Sequence, residues 1–155
     1  MTRIFYSALL AVLLMVMVGA VGCSSSSSSD AAIKSVNNTN IQRLANLYSM
    51  HQFKNQFKGP ADEAMFREYL AGPDPTKVLE TMGVEKGGLD KLFISERDGE
   101  PFKIRYGVIS GPRGSTEAVI FESKGRLGKR MVGFLNMVQR EVEDQEYESL
   151  LNPKK

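Results

Sequence analysis

Residues 98–106 read DGEPFKIRY, and at this point the apolar period of the chain changes. Asp98-Gly99 is a turn dipeptide. After it Phe102, Ile104 and Tyr106 alternate with Lys103 and Arg105, the two-residue period of a half-buried strand. Three more strand-like runs follow: Ala118–Glu122, Met131–Leu135 and Val138–Val142. The glycine-bearing segment Lys124–Lys129 joins the first two of these, and Asn136-Met137 joins the last two. Ser110–Glu117, rich in Gly and Pro, reads as the loop after the first strand. Asp144 is placed to cap a closing helix that runs to Leu151.

Upstream of Asp98 the period is helical. Ile41, Leu44, Ala45, Leu47, Tyr48 and His51 fall on one face at 100° per residue, behind the capping side chains of Asn37-Asn38-Thr39-Asn40. This predicts an amphipathic helix to about Phe57, ended by Gly59-Pro60. Phe53 and Phe57 lie off its main face; they are expected to cover a second helix, Glu63–Ala71, the alternative being an exposed partner surface. That helix is capped by Asp62 and has Phe66, Tyr69 and Leu70 as its apolar side. Asp74-Pro75 reads as the N-cap and first position of a third helix near 75–82, with Gly83 as its stop. A single turn is expected at Leu89–Leu92. Helices precede strands, so the fold class is α+β: a long N-terminal helix and short helices, then a small four-stranded antiparallel sheet.

The chain has 155 residues, with 42 % hydrophobic and 25 % charged side chains. That is an ordinary globular balance and enough length for one domain. Net charge is +2. Without residues 1–22, whose only charge is Arg3, 19 basic face 18 acidic side chains. That near-zero balance gives no reason to expect nucleic acid as a partner. One cysteine allows neither an internal disulfide nor a cysteine metal cluster, and no cofactor is expected.

The amino terminus carries the most specific signal. Arg3 precedes nineteen uncharged residues, Ile4–Gly22, rich in Leu, Val, Ala and Met. The run could span a bilayer, but it ends in small residues, as a cleavage site requires. Ala20-Val21-Gly22-Cys23 resembles a lipobox, the bacterial lipoprotein signal of two small or aliphatic residues, Gly or Ala, then Cys. The resemblance implies cleavage before Cys23, diacylglycerol on its thiol and usually acylation of the new amine. One acyl chain holds a protein only marginally, while two or more make a stable anchor. Residues 1–22 are then a signal peptide. Residues 23–38, with six consecutive serines, are a lipidated cysteine and flexible tether. Residues 39–152 are the single domain. Ser24, where an Asp would favour inner-membrane retention in some bacteria, points to the outer membrane, facing the periplasm.

A second resemblance covers residues 38–150. A helix, a region of short helices and an antiparallel meander resemble the soluble headpiece of pilin-like proteins and of small bacterial lipoproteins built that way. Leu92–Phe102, LFISERDGEPF, is similar to their LF-S-RDG-PF segment, and Gly128–Val132, GKRMV, to their GKR-V strand. The resemblance implies a pilin-like α+β headpiece and no assigned activity. In true pilins the apolar helix stays attached and drives polymerisation. Here it is expected to be cut off at Cys23, so a filament subunit is not expected.

Catalytic chemistry finds little support. His51 is the only histidine. No motif supplies it with a Ser or Cys nucleophile, and a residue at the core edge is expected. No ligand spacing suits zinc. Ser110–Thr116 has two glycines and a cation but not the spacing of a phosphate loop, so it reads as an inter-strand loop. Asp98-Gly99 lacks the further ligands of a calcium loop. Lys124, Arg126, Lys129 and Arg130 cluster on a hairpin, where they suit either anionic lipid heads and wall polymers or a solvated turn balanced by Glu141, Glu143, Asp144, Glu146 and Glu148. The sequence reading is a lipid-anchored, non-catalytic interaction or structural module of the cell envelope. Its partners are membrane lipid through Cys23 and an envelope protein or wall component. The alternative is an accessory pseudopilin-like subunit of a secretion or pilus-type assembly.

Overall fold

A computed structural model describes residues 37–110 and 115–153 of the chain. Cys23, the signal segment, the serine run and residues 111–114 of the Gly/Pro loop lie outside the described residues.

Helix α1, Asn40–Lys54, is capped by Thr39, whose hydroxyl oxygen accepts from the Gln42 amide. The six residues that the helical period places on one face are all buried. The helix stops three residues before the expected Phe57. Asn55 caps it, donating from its side chain to the His51 carbonyl at 2.8 Å. Gln56 and Phe57 then take the left-handed conformation, with φ of 55° and 63°, which turns the chain out of the helix. Helix α2, Glu63–Leu70, is capped by Asp62 as expected, through the Met65 amide at 2.8 Å.

Helix α3, Pro73–Thr81, begins two residues earlier than the sequence suggests, with Gly72 as its N-cap. Proline at the first helical position loses only an amide that has no helical partner anyway. Asp74 is therefore inside the first turn, where it pairs with Lys54 at 2.7 Å. Gly83, at φ 78°, closes α3. The Val84 amide donates to Leu79 and the Gly83 amide to Glu80, the crossed pair of a Schellman motif. The expected single turn is α4, Leu89–Leu92.

Strands β1 (Lys103–Ile104), β2 (Ala118–Phe121), β3 (Lys129–Phe134) and β4 (Gln139–Glu143) form one antiparallel sheet in the order β1-β2-β3-β4. Helix α5, Asp144–Leu151, follows directly. The α+β class with an antiparallel sheet is therefore observed. β1 is shorter than the alternation of residues 102–106 suggests. The Arg105 carbonyl accepts from the buried Tyr48 hydroxyl at 2.9 Å. Beyond it the Gly107 amide donates to Pro60, and the Val108 carbonyl accepts from Gly59. The chain thus leaves the β2 edge for the segment after α1. Asp144, expected as the cap of α5, is its first residue, and Glu143 holds the cap position without a side-chain bond. The Asp144 carboxylate instead pairs with Arg130 at 3.1 Å.

β2 is buried on both faces. Val119 and Ile120 join the core built on α1–α4. Ala118 and Phe121 join Val132, Phe134, Val142 and Tyr147 in a second core under α5. A register shift between Ala118 and Ile120 lets this short run serve both. Two glycines admit α1 to its seat. A Cβ on Gly133 would stand 2.9 Å from Ile41 Cγ1, and one on Gly59 2.1 Å from the Tyr48 hydroxyl oxygen. That hydroxyl also accepts from the Val108 amide at 3.2 Å. Burial pushes its pKa up to about 12, against the opposing effects of the Val108 amide and Arg105.

Gly59→Ala must displace that ring. It is expected to destabilise the fold by about 1–3 kcal/mol, as overpacking does, measured by urea denaturation. An unchanged midpoint would mean that Tyr48 is not fixed between α1 and the 105–108 segment.

Candidate functional site

The hairpin that the sequence marked as a cationic contact is a tight one. Arg126 and Lys129 exchange both backbone hydrogen bonds, at 2.8 and 3.0 Å. Between them Leu127 and Gly128 have φ of 52° and 74°. Two successive left-handed residues are the requirement of a type I′ turn, which favours Asn-Gly. Leucine at its first corner costs about 1–2 kcal/mol, because its Cβ crowds the following carbonyl. Leu127 is fully exposed, so no packing offsets that cost.

Asp98 holds the base of the hairpin. One carboxylate oxygen accepts from the Gly125 amide at 2.7 Å and the Lys124 amide at 3.0 Å, and the other from the Glu100 amide at 3.0 Å. Burial raises the Asp98 pKa, but these bonds and the Ser95 side chain outweigh it and hold the carboxyl below its ordinary 3.8. Asp98 is therefore a staple between two turns.

Beneath it lies a feature that sequence reasoning missed. Glu122, at 2 % exposure, ends the β2 run inside the protein. Its carboxylate accepts from the Ser95 hydroxyl at 2.9 Å and the Met131 amide at 2.7 Å. Arg97 Nε stands 3.4 Å away, an ion pair without hydrogen-bond geometry. The Arg97 guanidinium continues to Glu141 and to the Lys129 carbonyl. The Tyr147 hydroxyl donates to the Glu122 carbonyl at 2.7 Å. An acidic residue closing the apolar run AVIF was the available signal.

The four expected cations divide into two pairs. Lys124 pairs with Glu100. Arg130 lies 4.2 Å above the Tyr147 ring and pairs with Asp144 and, at 3.6 Å, with Glu148. Arg126 and Lys129 are exposed, and among the described residues neither makes an ion pair within 4.0 Å. Lys129 stands opposite Glu143 in the β3–β4 register. Arg126 also lines a cavity of about 180 Å³ together with Thr39, Glu122, Arg97 and Gln139.

His51 lies apart from this region. It is buried, its ring meets Tyr69 edge-on at 5.0 Å, and its Nδ1 has no hydrogen-bond partner among the described residues. Burial holds its pKa below 6.5, against a hydrogen bond to the Lys58 backbone. Phe53 does not cover α2. It is 79 % exposed and meets the Phe57 ring edge-on at 6.5 Å. Of the Gly/Pro loop, Ser110 donates from its hydroxyl to Gln52 at 3.0 Å. No group of three His, Cys, Asp or Glu that could hold a metal occurs among the described residues, and none of their helices is long and apolar enough to cross a membrane. No family model, curated protein or solved structure matches the chain.

Two outcomes are expected. Glu122→Ala removes the ion pair at Arg97 Nε and the acceptor of the Ser95 hydroxyl and the Met131 amide, and should cost about 3 kcal/mol. Glu122→Gln, which keeps an acceptor, should cost less; equal losses in urea denaturation would show that the charge itself is what matters. For His51 the folded pKa is depressed, so below 6.5 the unfolded chain takes up the proton first and stability falls on acidification. Between about pH 7.5 and 5.5 the urea midpoint should drop more in the wild type than in His51→Gln.

Proposed function

We propose that this chain is a lipid-anchored, non-catalytic interaction or structural module of the bacterial cell envelope, held at the outer membrane and facing the periplasm. The observation that carries the reading is Ala20-Val21-Gly22-Cys23, set behind Arg3 and nineteen uncharged residues. The architecture of the domain is compatible with it. The first described helix is capped at Thr39, and among the described residues the hydrophobic cores begin at Ile41.

A second reading is an accessory pseudopilin-like subunit of a secretion or pilus-type assembly. Its support is the order of elements, helices and then a four-stranded antiparallel meander. Against it stands Thr39, whose extended backbone, φ −117° and ψ 155°, breaks any continuous helix into the preceding apolar segment. An assembly subunit should be encoded beside its ATPase and platform genes.

Mass spectrometry of the envelope form tests the first reading. The expected product starts at Cys23 and carries two or three acyl chains, and Cys23→Ala should abolish lipidation and release or stall the protein. A native form that keeps residues 1–22 without lipid would overturn it.

A further inference from the structure

We propose that the tip of the β2–β3 hairpin is a second membrane contact, in which Leu127 enters the interfacial layer of an anionic bilayer while Arg126 and Lys129 sit on its headgroups. The inference deepens the lipid-anchored reading and rests on it for the nearness of a membrane.

Three observations converge on this tip. Leu127 is the most exposed large apolar side chain among the described residues. It also occupies a left-handed corner that leucine fits poorly, so the fold gains nothing from having it there. The two cations beside it, Arg126 and Lys129, are those left without an ion pair among the described residues, while Lys124 and Arg130 are spent on Glu100, Asp144 and Glu148. An exposed apolar residue between unpaired cations is the pattern that binds a lipid interface, where apolar burial and attraction to anionic heads add. Each cation is worth about fivefold in partitioning near such a surface.

The position of the tip fits. Thr39, the N-cap of α1, lines the same cavity as Arg126, and its hydroxyl donates to Gln139 at 2.8 Å. Whatever path the intervening chain takes, the fourteen residue-to-residue steps from Cys23 to Asn37 span at most about 50 Å. The tip is also rigidly carried. Asp98 fixes Lys124 and Gly125, and Glu122 fixes the Met131 amide, so its presentation costs little ordering on contact.

The chain contains no tryptophan, so Leu127→Trp introduces a single reporter at an exposed position. The full-length variant, purified from membranes and checked for an unchanged melting temperature, is reconstituted into phosphatidylglycerol or phosphatidylcholine vesicles. The expected result is blue-shifted emission, quenched by brominated lipid, in phosphatidylglycerol only. Arg126→Glu with Lys129→Glu in the same chain should return the emission to its aqueous position, as should high salt. Water-like, unquenched emission in phosphatidylglycerol vesicles overturns the proposal. So does a blue shift without bromolipid quenching, which would indicate a protein partner. Acyl mass and flotation report the anchor separately. Floated protein with an aqueous indole refutes the hairpin contact and keeps the anchor. Unacylated protein that is still quenched on added phosphatidylglycerol vesicles refutes the anchor and keeps the contact.

Discussion

The Glu122 carboxylate is an acidic group inside an apolar sheet, and it is met from two separate parts of the chain. Ser95 and Arg97 arrive from the turn after α4 and the Met131 amide from β3, while the Tyr147 hydroxyl of α5 bonds the Glu122 backbone carbonyl. A buried carboxylate without partners costs several kcal/mol, which ties the Ser95, Arg97 and Met131 contacts to one another. They fix the 95–100 segment against the β2–β3 hairpin, and the separate Tyr147 bond holds α5 to β2. β2 leaves no slack in this arrangement, because its four residues feed two cores at once. A slip of one residue would exchange the cores and withdraw Glu122 from Ser95.

Backbone strain is distributed unevenly around that centre. Gln56, Phe57, Leu127 and Met137 all have left-handed φ. The first two end α1 and turn the chain so that the Phe57 amide reaches the Gln52 carbonyl at 2.7 Å and the Phe57 carbonyl accepts from Ser110. Met137 occupies the left-handed position of a three-residue hairpin, where the Met137 amide donates to Phe134 and the Phe134 amide to Val138. Its side chain keeps partial cover. Leu127 completes a turn that Asn would complete with less strain, and it is fully exposed. Local sequence and global fold usually agree, and disagreements concentrate at sites held for another purpose.

The legible part of the sequence was the part governed by period and capping. The six buried positions of α1 follow from a 100° repeat, and Asp62 and Gly83 act where their side chain and backbone freedom suit them. At three of the shifted boundaries the residue concerned has a tertiary partner: Asp74 pairs with Lys54, Asp144 with Arg130, and the Arg105 carbonyl accepts from Tyr48. The cationic hairpin was visible as a charge cluster. Its division into two spent and two unpaired cations was not, because Glu100 lies 24 positions from Lys124. Asp144 and Glu148, which hold Arg130, are brought to it only by the folding of α5 onto the sheet. Glu122 was hidden because an acidic residue after AVIF reads as the solvent end of a strand, and only the return of residues 95–97 makes it an interior one.

The two functional readings separate at Thr39 on physical grounds. In true pilins, as the resemblance has it, the apolar helix stays attached and drives polymerisation. At Thr39 the hydroxyl accepts from Gln42 and donates to Gln139 of β4, and the Asn40 amide, the next donor of the helix, goes to Glu96 at 2.7 Å. The Asn40 side chain adds bonds to the carbonyls of Lys91 and Ile94. Extending α1 backwards by one turn would break the cap and draw the Asn40 amide from Glu96 into the helix. The N-terminal end of α1 is thus fastened to β4 and to the loop after α4. A chain fastened in this way transmits position rather than helical direction, which suits a module tethered to a surface better than one threaded into a filament.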